Sequence, residues 1–354
     1  MAGTEEYRQQ VAEILSKIAY IDYQINPKDL FNDAKVVIQK LFNEWDEKDL
    51  VFTQLLNGIT NKLIKCENSK ENKSLLIRVY GFKTESIINR EKELVVTTCL
   101  SQKDLAEKIY GRFKNGLVYG YLEGTTLSYQ EMSKEPLVSL VPALLGQWHS
   151  KATVIGSHEP VLFTTLHKWF KAIPTNYEDS EKNMFFQQHF DMKEIFGMIK
   201  AVEEKVNTLA PPVTFCHNDL LNGNIVLSPT NDKVWFIDYE YGGYNYRGYD
   251  IANHFNEFAG FPCEYELYPT KEEQRKWLTI YLSSYHEIAE SQVDPASVDK
   301  LITEVSVFTL ASHLYWGLWS LLQASISDIN FDYMGYGKLR FDRYKSTYKD
   351  ILSD

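Results

Sequence analysis

Hydrophobic and polar positions change rhythm along this chain, and the change divides it. Residues 29–43 carry apolar positions at helical spacing, and residues 51–56 then switch to a short apolar run ending in Asn57-Gly58, which predicts a helix, a strand and a turn in succession. Two further runs, Leu63 to Cys66 and Leu75 to Tyr80, flank the polar stretch from Glu67 to Ser74, whose composition suits a hairpin connection. A small antiparallel sheet is expected. A helix follows over residues 87–100, beginning near Asn89, with Glu91 and Glu93 in its first turns where carboxylates suit the helix dipole. Tyr110 to Phe113 and Gly116 to Leu122 read as two more strands.

Beyond Gly124 helical periodicity dominates, interrupted by one compact strand pair, Asn224 to Leu227 and Val234 to Ile237, with residues 228–233 as its turn. The prediction is an α+β, two-lobed chain. Residues 1–122 form a sheet-rich lobe with a helical N-terminal extension, and residues 123–354 form a larger helical lobe; any disorder is expected at the N-terminus. The cleft between the lobes is the natural place for a site.

Composition narrows the function. A formal net charge of -11 repels nucleic acid and acidic membrane surfaces, so a bound nucleotide would need a local concentration of metal and cationic side chains, whereas a cationic substrate is favoured. Cys66, Cys99, Cys216 and Cys263 lie far apart and form no C-x-x-C pair, which points away from zinc and disulfides. Together with a charged N-terminus that lacks a secretory apolar core, this predicts a cytoplasmic protein. Val305 to Ser327 holds no formally charged residue and is long enough to span a bilayer, but Ser, Thr, Gln and His313 interrupt it, so a buried core helix and no membrane span are expected. The residues leave a homodimer open.

The most informative stretch is Phe215-Cys216-His217-Asn218-Asp219-Leu220-Leu221-Asn222-Gly223-Asn224, followed after a strand, turn and strand by Ile237-Asp238-Tyr239-Glu240. In-line phosphoryl transfer needs a carboxylate to orient and deprotonate the attacking hydroxyl, and oxygen ligands that hold Mg²⁺ against the phosphates of ATP. Asp219 fits the first role. Asn224, five residues on, and Asp238, at the end of an apolar strand, fit the second, with the spacing of the kinase pattern H-R-D-x-x-x-x-N and its later metal-binding Asp. A lone Asn-Asp pair is usually a turn and a lone Asp after a strand usually just its end; the conjunction, with a hairpin between, carries the reading. His217 is expected to pack and hold the loop.

Neither G-x-x-x-x-G-K-[ST] nor G-x-G-x-x-G occurs, so Asn57, Gly58, Thr60 and Asn61 are the proposed phosphate cradle between the first two strands. Arg78 is the cation expected on the phosphates, paired to a helix carboxylate for which Glu93 is preferred over Glu91. Glu240, Asp250 and Glu257 fall among Tyr241, Tyr244, Tyr246, Tyr249, Phe255 and Phe258, with Trp316 and Trp319 as an opposite wall, a combination suited to a small cation. Asp250 has a structural alternative, bonding the backbone of the catalytic loop.

These residues resemble the choline/ethanolamine kinases, from about Asp46 to about Tyr344. The likeness is carried by Gly58-Ile59-Thr60-Asn61-Lys62-Leu63, Cys216-His217-Asn218-Asp219, Ile237-Asp238-Tyr239-Glu240-Tyr241, Tyr244-Asn245-Tyr246 and Ala311-Ser312-His313-Leu314-Tyr315-Trp316-Gly317-Leu318-Trp319-Ser320. The resemblance implies a protein-kinase-like fold and transfer of the ATP γ-phosphate to an amino-alcohol hydroxyl, with Asp219 as base and Asn224 and Asp238 as metal ligands. It further implies that the backbone of Gly120 and Leu122 holds adenine, though a larger side chain is expected where Gly120 stands. Leu220-Leu221, Asn256-Glu257-Phe258-Ala259-Gly260 and Leu267-Tyr268-Pro269 look like the ethanolamine branch. Physics alone leaves ethanolamine and choline both open: carboxylates suit an ammonium with N–H donors, and aromatic faces suit a quaternary nitrogen. Intact Asp219, Asn224 and Asp238 weigh against a silent scaffold, and the missing Gly-rich loop and activation segment weigh against protein substrates.

Overall fold

The computed structural model describes residues 5–55, 62–80, 90–327 and 329–353. Its first sheet has six strands in the order β1-β5-β6-β4-β3-β2. Here β1 is Ala19–Ile21, β2 Leu50–Leu55, β3 Lys62–Asn68, β4 Lys73–Val79, β5 Ile109–Phe113 and β6 Gly116–Gly120. Every pairing is antiparallel except that of the three-residue edge strand β1 with β5. Successive side chains on a strand point to opposite faces. Leu75, Ile77 and Val79 of β4 are therefore buried together with Ile64 and Cys66 of β3 under helix α2 (Leu30–Leu41). Arg78, between them, faces the other way, towards helix α3 (Arg90–Ser101).

α3 joins the sheet to the rest of the molecule, because Val95, Val96, Cys99 and Leu100 enter the large helical core rather than the core under α2. Helix α1 (Glu5–Ser16) docks on that same core through Val11 and Ile14. The chain leaves β6 and pairs β7 (Thr125–Thr126) with β9 (Ile225–Leu227), itself paired with β10 (Val234–Phe236). A second pair, β8 (Val213–Cys216) with β11 (Gly243–Tyr246), brackets the catalytic loop. The sequence predicts only the β9–β10 pair here. β9 and β10 announce themselves as apolar runs on either side of a polar turn, residues 228–233; β7, β8 and β11 have no such local partner and pair only with strands distant in sequence, so they escape this reading.

Around these strands pack α4 (Leu137–Lys151), α5 (Leu162–Ala172), α6 (Ser180–His189), α7 (Met192–Leu209), α8 (Arg247–Glu257), α9 (Lys271–His286), α10 (Pro295–Ile326) and α11 (Tyr333–Leu352). α10 starts cleanly: the Asp294 carboxylate accepts from Ala296 and Ser297 N–H, both at 3.2 Å, and Pro295 occupies the first turn, where no N–H is missed. It is the one described helix long and apolar enough to cross a membrane, and 83% of its most apolar window is buried inside the fold. It is the core helix predicted from residues 305–327. α11 lies close against it at Gly317, where any Cβ would press on the Phe341 ring at 2.8 Å.

Candidate active site

Asn218 in the catalytic loop (φ 66) and Asp238 just after β10 (φ 65) adopt left-handed backbone, a conformation that costs free energy and must be held by surrounding structure. The restraints are visible. Asp250, fully buried in the first turn of α8, accepts the peptide N–H of His217 at 2.8 Å and of Asn218 at 2.7 Å. Its carboxylate also accepts from His149 Nε2 of α4 at 3.0 Å, and His149 Nδ1 is hydrogen-bonded with the Tyr281 hydroxyl at 2.8 Å. Burial works against that charge, but the His149 hydrogen bond leads the favourable contacts that together hold Asp250 below its usual carboxylate range. The Asn218 amide donates to the Tyr241 carbonyl at 3.0 Å and accepts from Asn245 at 2.8 Å. His217 donates from Nε2 to the Ile237 carbonyl at 2.9 Å, and burial pushes its pKa down, so the ring is a neutral strut tying the loop to the segment after β10 that bears Asp238.

The loop thus presents Asp219 in a fixed position. Asn224 donates from Nδ2 to the Asp219 carbonyl at 2.8 Å and to Asp219 Oδ2 at 3.2 Å. The other oxygen, Oδ1, is buried and has no hydrogen-bond partner among the described residues. Burial first, then the charges of Glu257, Asp238 and Glu240, push the Asp219 carboxyl well above its usual range. A carboxylate so placed is a proton acceptor that awaits a donor, in surroundings that favour a cation.

With its amide protons spent on Asp219, Asn224 turns a carbonyl oxygen outward, and the Ile237 N–H to Asn224 carbonyl bond, 3.0 Å, brings the start of the Asp238 turn alongside. The Asp238 carboxylate is exposed. An amide oxygen and a carboxylate are hard donors and fit Mg²⁺. Across the cleft, Arg78 pairs with Glu93 at 2.6 Å and senses the charge of Asp238.

At the end of β6 the Gly120 N–H is bonded to the Lys108 carbonyl at 3.0 Å, while the Leu122 N–H makes no backbone hydrogen bond among the described residues. A Cβ at 120 would meet the Glu107 carboxylate, whose pKa burial raises, so a larger side chain there would have to displace the end of Glu107. Asn57, Gly58, Thr60 and Asn61 lie outside the described residues.

The acceptor side is aromatic and acidic. Trp316 and Trp319 meet edge to face at 5.5 Å, and Tyr241 meets Trp316 at 5.6 Å. Trp316 is aimed by its Nε1–H bond to Asn253, 2.6 Å, and Trp319 by its bond to the Tyr241 hydroxyl, 3.1 Å. Glu257, the last residue of α8, is buried and paired to Arg340, while Glu240 is exposed at the rim. The structure separates other residues that the sequence groups with these. Tyr249, Phe255 and Phe258 are core residues, Tyr246 stacks on Phe308 at 5.3 Å, and Tyr244 packs on Phe215. Asp250 serves the loop from behind. Sequence reasoning missed His149, Asn253 and Arg340. Arg340 left a trace: it is the single charge on the face Tyr333, Tyr336, Gly337, Phe341, Tyr344 of an otherwise amphipathic helix.

Known proteins resemble the chain over most of its length. The Choline/ethanolamine kinase family profile matches residues 52–345. The chain is 40% identical to the probable ethanolamine kinase A of Dictyostelium discoideum over 331 residues, 92% of this chain and 93% of that one. Among solved structures, the ethanolamine kinase of Plasmodium vivax superposes with a TM-score of 0.76 at 30% identity, covering 97% of this chain and 96% of that one. The choline kinase of Cryptosporidium parvum superposes with a TM-score of 0.71 at 25% identity, covering 91% and 97%. The fold is therefore that of a protein-kinase-like phosphotransferase, and the chain belongs to the choline/ethanolamine kinase family.

Proposed function

We propose that the protein is an ethanolamine kinase, transferring the γ-phosphoryl group of ATP to the hydroxyl of ethanolamine in the cytoplasm and so feeding phosphoethanolamine into the CDP-ethanolamine route to phosphatidylethanolamine. The observation that carries this reading is the unpartnered, buried Oδ1 of Asp219, with the Glu257 charge and the Trp316–Trp319 corner beside it. Ethanolamine presents a hydroxyl to the first and an ammonium to the second.

On this reading residues 1–122 bind the nucleotide and residues 123–354 bind the acceptor. The Leu122 N–H, with the Gly120 backbone, meets adenine, and Asn57, Gly58, Thr60 and Asn61 cradle the phosphates. Arg78, held by Glu93, reaches the phosphate oxygens. Asn224 and Asp238 hold Mg²⁺, which when bound neutralises charge on the transferring group. Asp219 orients the hydroxyl and accepts its proton; its raised pKa suits a group that must take a proton from an alcohol as the bond to phosphorus forms. Glu240, Glu257 and Tyr241 surround the ammonium, and Trp316 and Trp319 close over it. No bond to the protein forms at any stage.

A specific feature also favours choline: the Tyr241, Trp316 and Trp319 faces attract a cation that has no N–H to donate. ³¹P NMR of the purified protein with Mg-ATP and equal ethanolamine and choline separates the two. Phosphoethanolamine is the expected main product. Mainly phosphocholine overturns the choice of acceptor, and no phosphomonoester from either overturns the activity.

A further inference from the structure

The phosphoryl-transfer machinery leaves one buried cation unexplained. Arg340 is 1% exposed. Its Nη1 donates to Glu257 Oε1 and to the Tyr336 hydroxyl, both at 3.2 Å, and its Nη2 donates to the Ser312 hydroxyl at 2.9 Å and the Ser312 carbonyl at 3.3 Å. Contacts from α8, α10 and α11 thus fix the guanidinium plane, and that plane fixes the Glu257 carboxylate. Glu257 Oε2, in contrast, accepts no hydrogen bond from any described residue.

The charges around Glu257 make this arrangement consequential. Asp219 faces it from the catalytic loop, Arg340 and Tyr336 from α11, and Cys263 and Tyr265 from the connection after α8. His313 of α10 faces Arg340 rather than Glu257. Burial, the larger influence, pushes the Glu257 pKa up, and Arg340 pulls it down. Without the guanidinium, an enclosed carboxyl beside Asp219 would take up a proton, and a neutral carboxylic acid gives an ammonium no counter-charge.

We propose that Arg340 is a positioning and specificity residue: it keeps Glu257 ionised and turns Oε2 towards an N–H donor of the acceptor's ammonium group. This rests on reading Glu257 as part of the acceptor site. The positive guanidinium offsets much of the long-range pull of Glu257, so a quaternary nitrogen gains little from the pair. An ammonium gains a directed, charge-assisted hydrogen bond to Oε2. Arg340 therefore selects for acceptors that can donate.

The test is steady-state kinetics of Arg340→Met and Arg340→Lys with ethanolamine and with choline from pH 6.5 to 9, beside melting temperatures. Arg340→Met is expected to raise the ethanolamine KM at neutral pH by about tenfold or more, with kcat within about threefold and a smaller change for choline. Its ethanolamine KM should fall again as pH rises, because Glu257 then ionises without help. Arg340→Lys should recover most of the neutral-pH KM. A folded Arg340→Met enzyme with parental ethanolamine KM and pH profile overturns the proposal. If that variant does not fold, Arg340→Gln, which keeps a hydrogen-bond donor but no charge, decides: an ethanolamine-to-choline KM ratio and pH profile identical to the parent's overturn the proposal too. Glu257→Gln separates the two layers. A raised ethanolamine KM there with none in the Arg340 variants sinks the role of Arg340 alone, whereas an unchanged KM in Glu257→Gln removes the acceptor-site reading beneath it.

Discussion

The catalytic loop and the acceptor wall meet at Asp219, and they are held by different means. The loop is fixed through its backbone: Asp250 takes two peptide N–H groups, His217 holds the Ile237 carbonyl, and His254 donates to the Leu220 carbonyl at 3.0 Å. The wall is fixed through pairs of side chains distant in sequence, Glu257 with Arg340, Trp316 with Asn253 and Trp319 with Tyr241. Backbone restraints make the position of Asp219 insensitive to which side chains surround it. Side-chain restraints let the wall be retuned one residue at a time. On the proposed function, the first construction would hold the chemistry in place and the second would choose the acceptor.

The most direct way to break this division is at Asp219. Asp219→Ala should lower kcat by roughly 10²–10⁴, the usual contribution of a positioned general base, with little change in ATP affinity. Near-normal kcat in that variant would remove the base from the loop and the mechanism with it.

The loop's neutral imidazole supports give the next effect. His254 is buried behind Leu220, and burial pulls its pKa down to about 4. An unfolded histidine titrates near 6.5, so between pH 6.5 and 4 the unfolded chain binds a proton that the native state refuses. Stability is therefore fully present above pH 6.5 and drains away as pH falls towards 4, by about 3 kcal/mol from this residue, since each unit is about 1.4 kcal/mol. His254→Gln, which keeps a donor for the Leu220 carbonyl, should flatten that part of the melting-temperature profile. A profile as steep as the parent's would mean that His254 is not a source of acid sensitivity.

The same division governs what the sequence made legible. The residues from His217 to Asp238 act within one loop and one hairpin, so their spacing alone brought Asp219, Asn224 and Asp238 together on the page. Arg78 with Glu93 was readable for a similar reason, since a strand and the next helix bring them face to face. The wall was not readable in this way. Tyr244, Tyr246, Tyr249, Phe255 and Phe258 follow Glu240 in the same stretch as Tyr241, but helical and strand periodicity turns them into the core; the sequence offers Trp316 and Trp319 as an opposite wall, whereas Arg340 joins it only through tertiary packing. Asp250 is intermediate: its residue type and position fit either a counter-charge or a loop clamp, and the direction α8 takes from β11 selects the clamp.

A mild change in the wall sharpens the comparison most finely. Trp319→Phe keeps an aromatic face against Trp316 but removes the Nε1–H that donates to the Tyr241 hydroxyl. A neutral hydrogen bond of this kind is worth about 1 kcal/mol net, so the acceptor KM should rise about fivefold, with kcat unchanged because nothing touching Asp219 has moved. Ethanolamine and choline should not suffer equally: a Tyr241 ring freed from its anchor loses the fixed face on which a quaternary nitrogen depends, while an ammonium bonded to a carboxylate keeps its main contact. Measured KM and kcat for both acceptors would decide. A fall in kcat with KM unmoved would mean that the wall also orients the hydroxyl on Asp219, and the separation between loop and wall would give way to a single coupled site.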